Sequence, residues 1–597
     1  MTPAGWITVA TLVVAALLLV TERLRPDLIA LLVLLTLGLT GVLTPEQAFS
    51  GFSRSAVIAI LALFILTHGL EKTGVTRWLG HRVLHLSGGS TTRLVVLLML
   101  TAAGLSLFMN TIAAAAVLLP TTMSIARQSG IRPSRLLMPL AFGALLGGMA
   151  TLLTTANLLV SAALEEAGHA PLGLLDFAPI GVPLVAVGTA LVVVLAPRLL
   201  PARDVAGEVA RMRRLETELT QVYQLREGSS QVEILPGSPL AGRTLDEGGW
   251  GAELRLTVLG ISHQGRLRLA PDRRALVEAG DIVLLEGAPA AETLERQGLR
   301  LHAGPSLAES LASFSVPLIE VTLAPRSQVE GRTLRDIRFR ERFGLQVIAI
   351  WRQGAVLQQD VADIALHFGD AMLVQGPRDR LEILRLDPSF LLLEEALDGR
   401  PGRKAWLASA ILLGSLALVV TGVLPVALGT LTGAALMVLT GCLRMEDVYR
   451  GIEWRTIFVV AGMLPVSIAL ESTGTSLLAG EALYQATRSL GPLGTGGALL
   501  LAAVALSLFL GGQTVAVVMA PVAVAAAAAA SADARAMAMA VALGCSLTFV
   551  SPVGHPATML VMGPGGYRFR DFLRLGAPLT LVCLLITLAG LHWVWGL

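Results

Sequence analysis

The charges of this chain are concentrated in its middle. Of the 88 Lys, Arg, Asp and Glu residues, 18 lie in residues 1–200, 15 in residues 405–597 and 55 in residues 201–404. A polar block therefore separates two apolar ones. Segments 7–20, 28–43, 57–70, 411–424 and 580–591 carry no charge, and with their flanks they are long enough to cross a hydrocarbon core of about 30 Å. The chain reads as a polytopic α-helical protein embedded in membrane lipid.

The 45 Lys and Arg against 43 Asp and Glu leave a net charge of +2. No basic field results, which excludes nucleic acid as a main partner. Cys442, Cys545 and Cys583 lie in apolar or membrane-edge stretches without CxxC spacing, so neither a disulfide framework nor a zinc site is expected. No basic segment precedes Trp6 to Val20, and Glu22 and Arg23 stand where a small-residue cleavage site would be. That stretch is expected to be a retained membrane helix rather than a signal peptide.

The two apolar blocks repeat one another at an offset of about 400. Pro45-Glu46-Gln47-Ala48 answers Met445-Glu446-Asp447-Val448, Leu70-Glu71 with Gly74 answers Leu470-Glu471 with Gly474, and Leu105-Ser106-Leu107-Phe108 answers Leu506-Ser507-Leu508-Phe509. Such duplication is typical of secondary transporters. Cytoplasmic loops collect Lys and Arg. On that rule residues 45–54 lie outside and their partners 445–454 inside, the pattern of an inverted repeat: transmembrane half 1 spans residues 1–200 and half 2 residues 405–597.

Each half holds an apolar stretch broken near its centre, at Met109-Asn110-Thr111 within 94–126 and at Gly511-Gly512-Gln513-Thr514 within 498–530. Loop charges predict two re-entrant hairpins entering from opposite faces. Each is followed by a second broken segment, 147–157 with Thr151, Thr154 and Asn157, and 548–558 with Ser551, His555 and Thr558. Unwound backbone and hydroxyls at membrane depth are hard oxygen ligands suited to Na⁺, while helix N-termini suit an anion. Small residues of this kind also pack helices closely, and a lone His such as His555 is either a packed core residue or one facing an anion or proton path.

Residues 203–402 contain a tighter repeat at an offset of 89: Gly242-Arg243-Thr244-Leu245 answers Gly331-Arg332-Thr333-Leu334, and Gly280-Asp281 answers Gly369-Asp370. Two small α/β domains are predicted, residues 215–303 and 304–395, with strands over 254–261 and 345–351. Basic flanks at 198–214 and 400–404 put the insert in the cytoplasm. Its histidines, His263, His302 and His367, are scattered singly and give no enzyme site, and no TVGYG-like filter run supports a channel.

Taken together, and above all in Gly563-Pro564-Gly565-Gly566-Tyr567-Arg568-Phe569 with Asp571-Phe572, the chain resembles the divalent-anion/Na⁺ symporter family, in the subgroup whose halves flank tandem TrkA-C (RCK C-terminal) domains. The resemblance implies an inverted-repeat ion-transporter fold with two re-entrant hairpins. It implies a multi-pass protein of the cell (inner) membrane that forms a homodimer and has Na⁺ as coupling ion and no organic cofactor. The implied activity is Na⁺ symport of a small divalent anion, sulfate ahead of a dicarboxylate, with a H⁺-coupled anion transporter or exchanger as the rival. Asn110, Thr111, Gln513, Thr514, His555 and Thr558 are the expected substrate-binding residues, and Asn110, Thr151, Thr154, Asn157, Thr514 and Ser551 the expected Na⁺ ligands. Thr558 stands where the family's second Asn is expected, and His555 where Tyr is common. Arg243 and Arg332, in register in the two insert domains, are the candidates for a regulatory anionic ligand such as a nucleotide.

Overall fold

The computed structural model describes residues 1–21, 24–76, 78–79, 82, 90–201, 229–250, 257–263, 266–269, 271, 275–286, 291–301, 318–324, 327–352, 355–357, 361–376, 378–385, 387, 389–393 and 402–597. The basic flank at 202–214, residues 77, 80–81 and 83–89, and the first residues of the strand predicted over 254–261 lie outside them. Among the described residues, seven helical stretches are long and apolar enough to cross a membrane: Pro3–Val20, Pro45–Thr73, Ala178–Leu199, Trp454–Ser472, Thr475–Leu510, Gly512–Ala529 and Phe569–Trp593.

The first half contains α1 (Pro3–Val20), α2 (Pro26–Leu39), α3 (Pro45–Phe49), α4 (Ser55–Thr73), α5 (Thr91–Ser106), α6 (Thr111–Gln128), α7 (Leu137–Gly148), α8 (Thr155–Glu166) and α9 (Ala178–Leu199). The insert contains β1 (Ser229–Ile234), β2 (Arg243–Thr244), β3 (Thr257–His263), β4 (Arg266–Leu269), β5 (Leu276–Val277), β6 (Ile282–Glu286), α10 (Ala291–Arg296) and β7 (Leu299–Leu301). These are followed by β8 (Leu318–Leu323), α11 (Phe339–Phe343), β9 (Gln346–Arg352), β10 (Ala355–Leu357), β11 (Ala371–Gln375), α12 (Arg378–Arg385) and β12 (Phe390–Leu392). The second half contains α13 (Ala405–Val420), α14 (Val426–Leu439), α15 (Met445–Gly451), α16 (Trp454–Met463), α17 (Pro465–Ser472), α18 (Thr475–Thr487), α19 (Gly491–Leu510), α20 (Gly512–Ala529), α21 (Ala534–Ser546), α22 (Pro556–Met562) and α23 (Phe569–Trp593).

Local chemistry repeats between the halves. The chain leaves α2 through a bond from Leu43 N to Leu37 O (3.1 Å) and leaves α14 through one from Leu443 N to Met437 O (3.0 Å). Both loops then enter a short helix under the same kind of cap: Thr44 N donates to Gln47 Oε1 at 3.0 Å and Arg444 N to Asp447 Oδ2 at 2.9 Å. Such caps satisfy amides that have no partner inside the helix.

Packing repeats as well. α2 lies on α16 and α14 on α4; α5 lies on α7 and α19 on α21. In the last two pairs the helices touch backbone to backbone: a Cβ on Gly143 would stand 2.7 Å from Met99 O, and one on Gly544 would stand 2.8 Å from Leu500 O. The broken segments cross over. α8, from the first half, packs on α20 and α21 of the second, and α22, from the second, packs on α6 and α7 of the first.

The two five-stranded insert sheets have one strand order, β4-β3-β6-β1-β7 and β10-β9-β11-β8-β12, and β2 pairs with β5. Their G-R-T-L turns share one bond pattern. Thr244 N donates to Glu247 Oε2 (3.0 Å) and Thr333 N to Asp336 Oδ2 (2.9 Å), and the acid's amide returns to the Thr hydroxyl. Those backbone bonds hold both carboxyls below the ordinary carboxylate range. The chain forms two compact units, Ala206–Leu318 with Gly376–Arg378, and Met1–Val205 with Ile319–Gln375 and Asp379–Leu597. The second sheet domain is thus part of the unit that holds the helices.

Candidate functional site

The first tip is built on α6. The helix begins at Thr111 because Asn110 caps it, Asn110 Oδ1 accepting from Ile112 N at 2.9 Å. Ser106, at the end of α5, donates its hydroxyl to Thr111 Oγ1 at 3.2 Å. Gly148 faces this pair. A Cβ there would lie 2.9 Å from Thr111 Oγ1, 3.0 Å from Thr154 Cγ2 and 3.5 Å from Ser106 Oγ, so Ser106, Thr111, Gly148 and Thr154 form one group.

After Gly148 the backbone unwinds to Thr154, which starts α8 in an extended conformation. Thr151 Oγ1 accepts from Leu153 N (3.2 Å), and Asn157 Nδ2 donates to Thr151 O (2.7 Å), tying the unwound segment to the first turn of α8. Two oxygens are left over. Among the described residues, Thr154 Oγ1 and Asn157 Oδ1 are buried and have no hydrogen-bond partner. Unpaired buried oxygens cost free energy unless a ligand supplies the missing contact.

The second tip differs in form. Gly511, at φ 77°, reverses the chain in one residue and α20 starts at Gly512. Gln513 and Thr514 therefore occupy the first turn of α20 rather than the break expected for them. The following segment repeats the first half's pattern. Ser551 Oγ accepts from Val553 N (3.2 Å), and Thr558 Oγ1 donates to Pro552 O (2.9 Å) and lies 2.5 Å from His555 O. His555 caps α22, with Nδ1 accepting from Ala557 N at 3.1 Å. An accepting Nδ1 leaves the ring proton on Nε2. Here too a buried hydroxyl has no partner among the described residues, that of Thr548, while the buried Ser507 hydroxyl faces the Cys545 thiol.

The residues singled out from sequence thus fall on the two tips and two unwound segments, and the crossing of α8 and α22 makes each region from both halves. Ser106, Gly148, Ser507 and Thr548 join them in the structure. Ser106 and Ser507 sit at one position of the Leu-Ser-Leu-Phe repeat, and a polar residue recurring there in otherwise apolar segments was the available signal.

The citrate transporter (CitMHS) family model matches residues 16–544. The chain belongs to the citrate transporter family. Among its relatives, an uncharacterized transporter of Synechocystis sp. is 33% identical over 97% of this chain and 95% of its own length. The uncharacterized transporter YfbS of Escherichia coli is 32% identical over 97% of each chain. A probable sodium/sulfate cotransporter 3 of Chlamydomonas reinhardtii is 22% identical over 97% of this chain and 87% of its own. This citrate transporter family member is therefore a multi-pass secondary transporter.

In this member of the family, the Gly563–Phe572 segment joins the halves. Tyr567 is fully buried; its hydroxyl donates to Ser134 O at 2.5 Å and accepts from Met138 N at 2.9 Å, at the start of α7. Arg243 and Arg332 are exposed on the two insert domains. The Thr–acid bonds of the same turns use neither arginine side chain.

Proposed function

We propose that this transporter couples Na⁺ entry to the uptake of a small dianion, sulfate first and a dicarboxylate as the alternative. The observation that carries the reading is the pair of buried, unpartnered oxygens at the start of α8, Thr154 Oγ1 and Asn157 Oδ1. Oxygens of this type are what a desolvated Na⁺ requires. Neither broken segment contains Lys or Arg, so the anion is met by amides, hydroxyls and helix N-termini. A cation bound beside it offsets its charge. In this reading Asn110, Thr111, Gln513, Thr514, His555 and Thr558 contact the anion, and Asn110, Thr151, Thr154, Asn157, Thr514 and Ser551 the Na⁺. The helix pairs α5–α6 and α19–α20 act as re-entrant hairpins of an inverted repeat. Alternating access moves the site elements relative to the rest.

The remaining parts of the proposal are a homodimer in the cell (inner) membrane and an insert that regulates from the cytoplasm as two TrkA-C domains, with a nucleotide at Arg243 and Arg332. The name of the Chlamydomonas relative supports sodium and sulfate. A H⁺-coupled exchanger is the second reading, prompted by His555 at the cap of α22. Its Nδ1 is already engaged by Ala557 N, so only Nε2 is open to a proton path. Uptake of radiolabelled sulfate into proteoliposomes under a Na⁺ gradient or a pH gradient separates the two. Uptake driven by pH alone, or competed only by dicarboxylates, would overturn the leading reading.

A further inference from the structure

We infer that the second insert domain is a clamp on α22: its 367–370 turn, docked on the far end of that helix, holds the second broken segment in place and must release for the transport cycle to proceed. The inference rests on the alternating-access reading above.

The contact is made by backbone. A Cβ on Gly563 would stand 2.0 Å from Gly369 O and 2.8 Å from Ala371 N, and one on Gly369 would stand 2.7 Å from Met559 O. Two glycines, one from each partner, allow an approach that any side chain would prevent. Phe368, beside Gly369, packs against both the helical core and the core of its own domain.

The docking turn is itself rigid. Asp370, 1% exposed, is gripped by Arg352 through Nε (2.8 Å) and Nη2 (2.6 Å), and it accepts from His367 N at 2.9 Å. Arg352 also donates to Ala365 O at 2.6 Å, and Thr322 Oγ1 donates to Asp370 O at 2.7 Å. Such a turn transmits force instead of bending.

The domain has a second foothold. Glu330 pairs with Arg455 at 3.5 Å, at the start of α16, which packs on α2. α22, by contrast, packs on α6 and α7. α16 also touches α20 but carries none of the site residues, so one domain bridges a helix of the site and a helix that supports it. α22 has 7 residues, about 10 Å of helix, so His555 and Thr558 at one end cannot shift while Met559–Gly563 at the other is held.

Two measurements on the full-length protein test the clamp. Phe368→Asp, which disfavours docking, is expected to speed amide hydrogen exchange across residues 556–566 by at least about tenfold and to raise sulfate uptake. In the second, Glu330→Cys with Arg455→Cys is bridged by a short reversible bis-thiosulfonate; native Cys442, Cys545 and Cys583 are buried. Bridging is expected to lower sulfate uptake at least about fivefold, with recovery on reduction. Unchanged exchange in Phe368→Asp overturns the clamp. So does a fully bridged protein that transports at the unbridged rate. A wild-type protein that moves no sulfate retires the substrate reading alone, and the exchange arm, which needs no substrate, still decides the clamp.

Discussion

Asn157 and Thr558 make the same brace in the two halves of the transporter. The side chain of each donates to the carbonyl six residues before it, Asn157 to Thr151 O at 2.7 Å and Thr558 to Pro552 O at 2.9 Å. An amide and a hydroxyl thus serve one purpose, closing the unwound segment onto the helix that follows. They differ in what remains: Asn157 keeps a carbonyl oxygen with no partner among the described residues, whereas Thr558 has only the hydroxyl that makes the brace.

That difference predicts which half is the more sensitive to Na⁺. Asn157→Ala removes both the brace and the oxygen and is expected to raise the Na⁺ half-saturation of uptake by at least about tenfold. Thr558→Ala should affect Na⁺ less and the anion more. Equal Na⁺ half-saturation in wild type and Asn157→Ala, measured in proteoliposomes, would make the Asn structural only.

Gly148→Ala should abolish uptake without preventing folding. The added methyl meets Thr111 Oγ1 at 2.9 Å and Thr154 Cγ2 at 3.0 Å, an overpacking that costs roughly 1–3 kcal/mol. Uptake compared with the thermal unfolding midpoint in detergent checks this. Near-normal uptake would show that the group tolerates rearrangement.

Tyr567→Phe removes the hydroxyl that accepts from Met138 N and donates to Ser134 O, two bonds in buried surroundings. The expected loss is roughly 1–3 kcal/mol, seen as a lower unfolding midpoint with little change in substrate half-saturation.

Arg352→Gln strands the buried Asp370 carboxylate and should destabilise the second insert domain by about 3–5 kcal/mol, read by limited proteolysis of the full chain. The equivalent His263→Gln should cost less, since His263 is 47% exposed where it meets Asp281. The bond to Asp370 raises the Arg352 pKa. A raised basic group contributes fully below its unfolded value and loses that contribution only as pH rises through the folded one. Protection by Arg352 should therefore be flat between about pH 6 and pH 9; a decline within that window would point to another group.

Much of the architecture was legible because it is written in short stretches of chain. Charge-free windows marked the helices, Pro45-Glu46-Gln47-Ala48 recurred as Met445-Glu446-Asp447-Val448, and Gly, Pro and hydroxyls at 147–157 and 548–558 marked the places where helices unwind. The break at the second tip was read as four residues wide. A single glycine with positive φ suffices there, so Gln513 and Thr514 turn out to be helical. Such a width is set by backbone dihedrals, which composition does not reveal.

By itself the sequence determined the membrane class and the positions of the broken segments, since hydropathy and turn residues act over a few neighbours. Only the tertiary structure decided that α8 and α22 cross to the opposite halves, that Ser106 and Gly148 join Thr111 and Thr154, and that Gly369 meets Gly563. These approaches join residues that are distant along the chain. Each depends on how close two backbones come, and that distance is set by the packing of the whole bundle rather than by any local pattern.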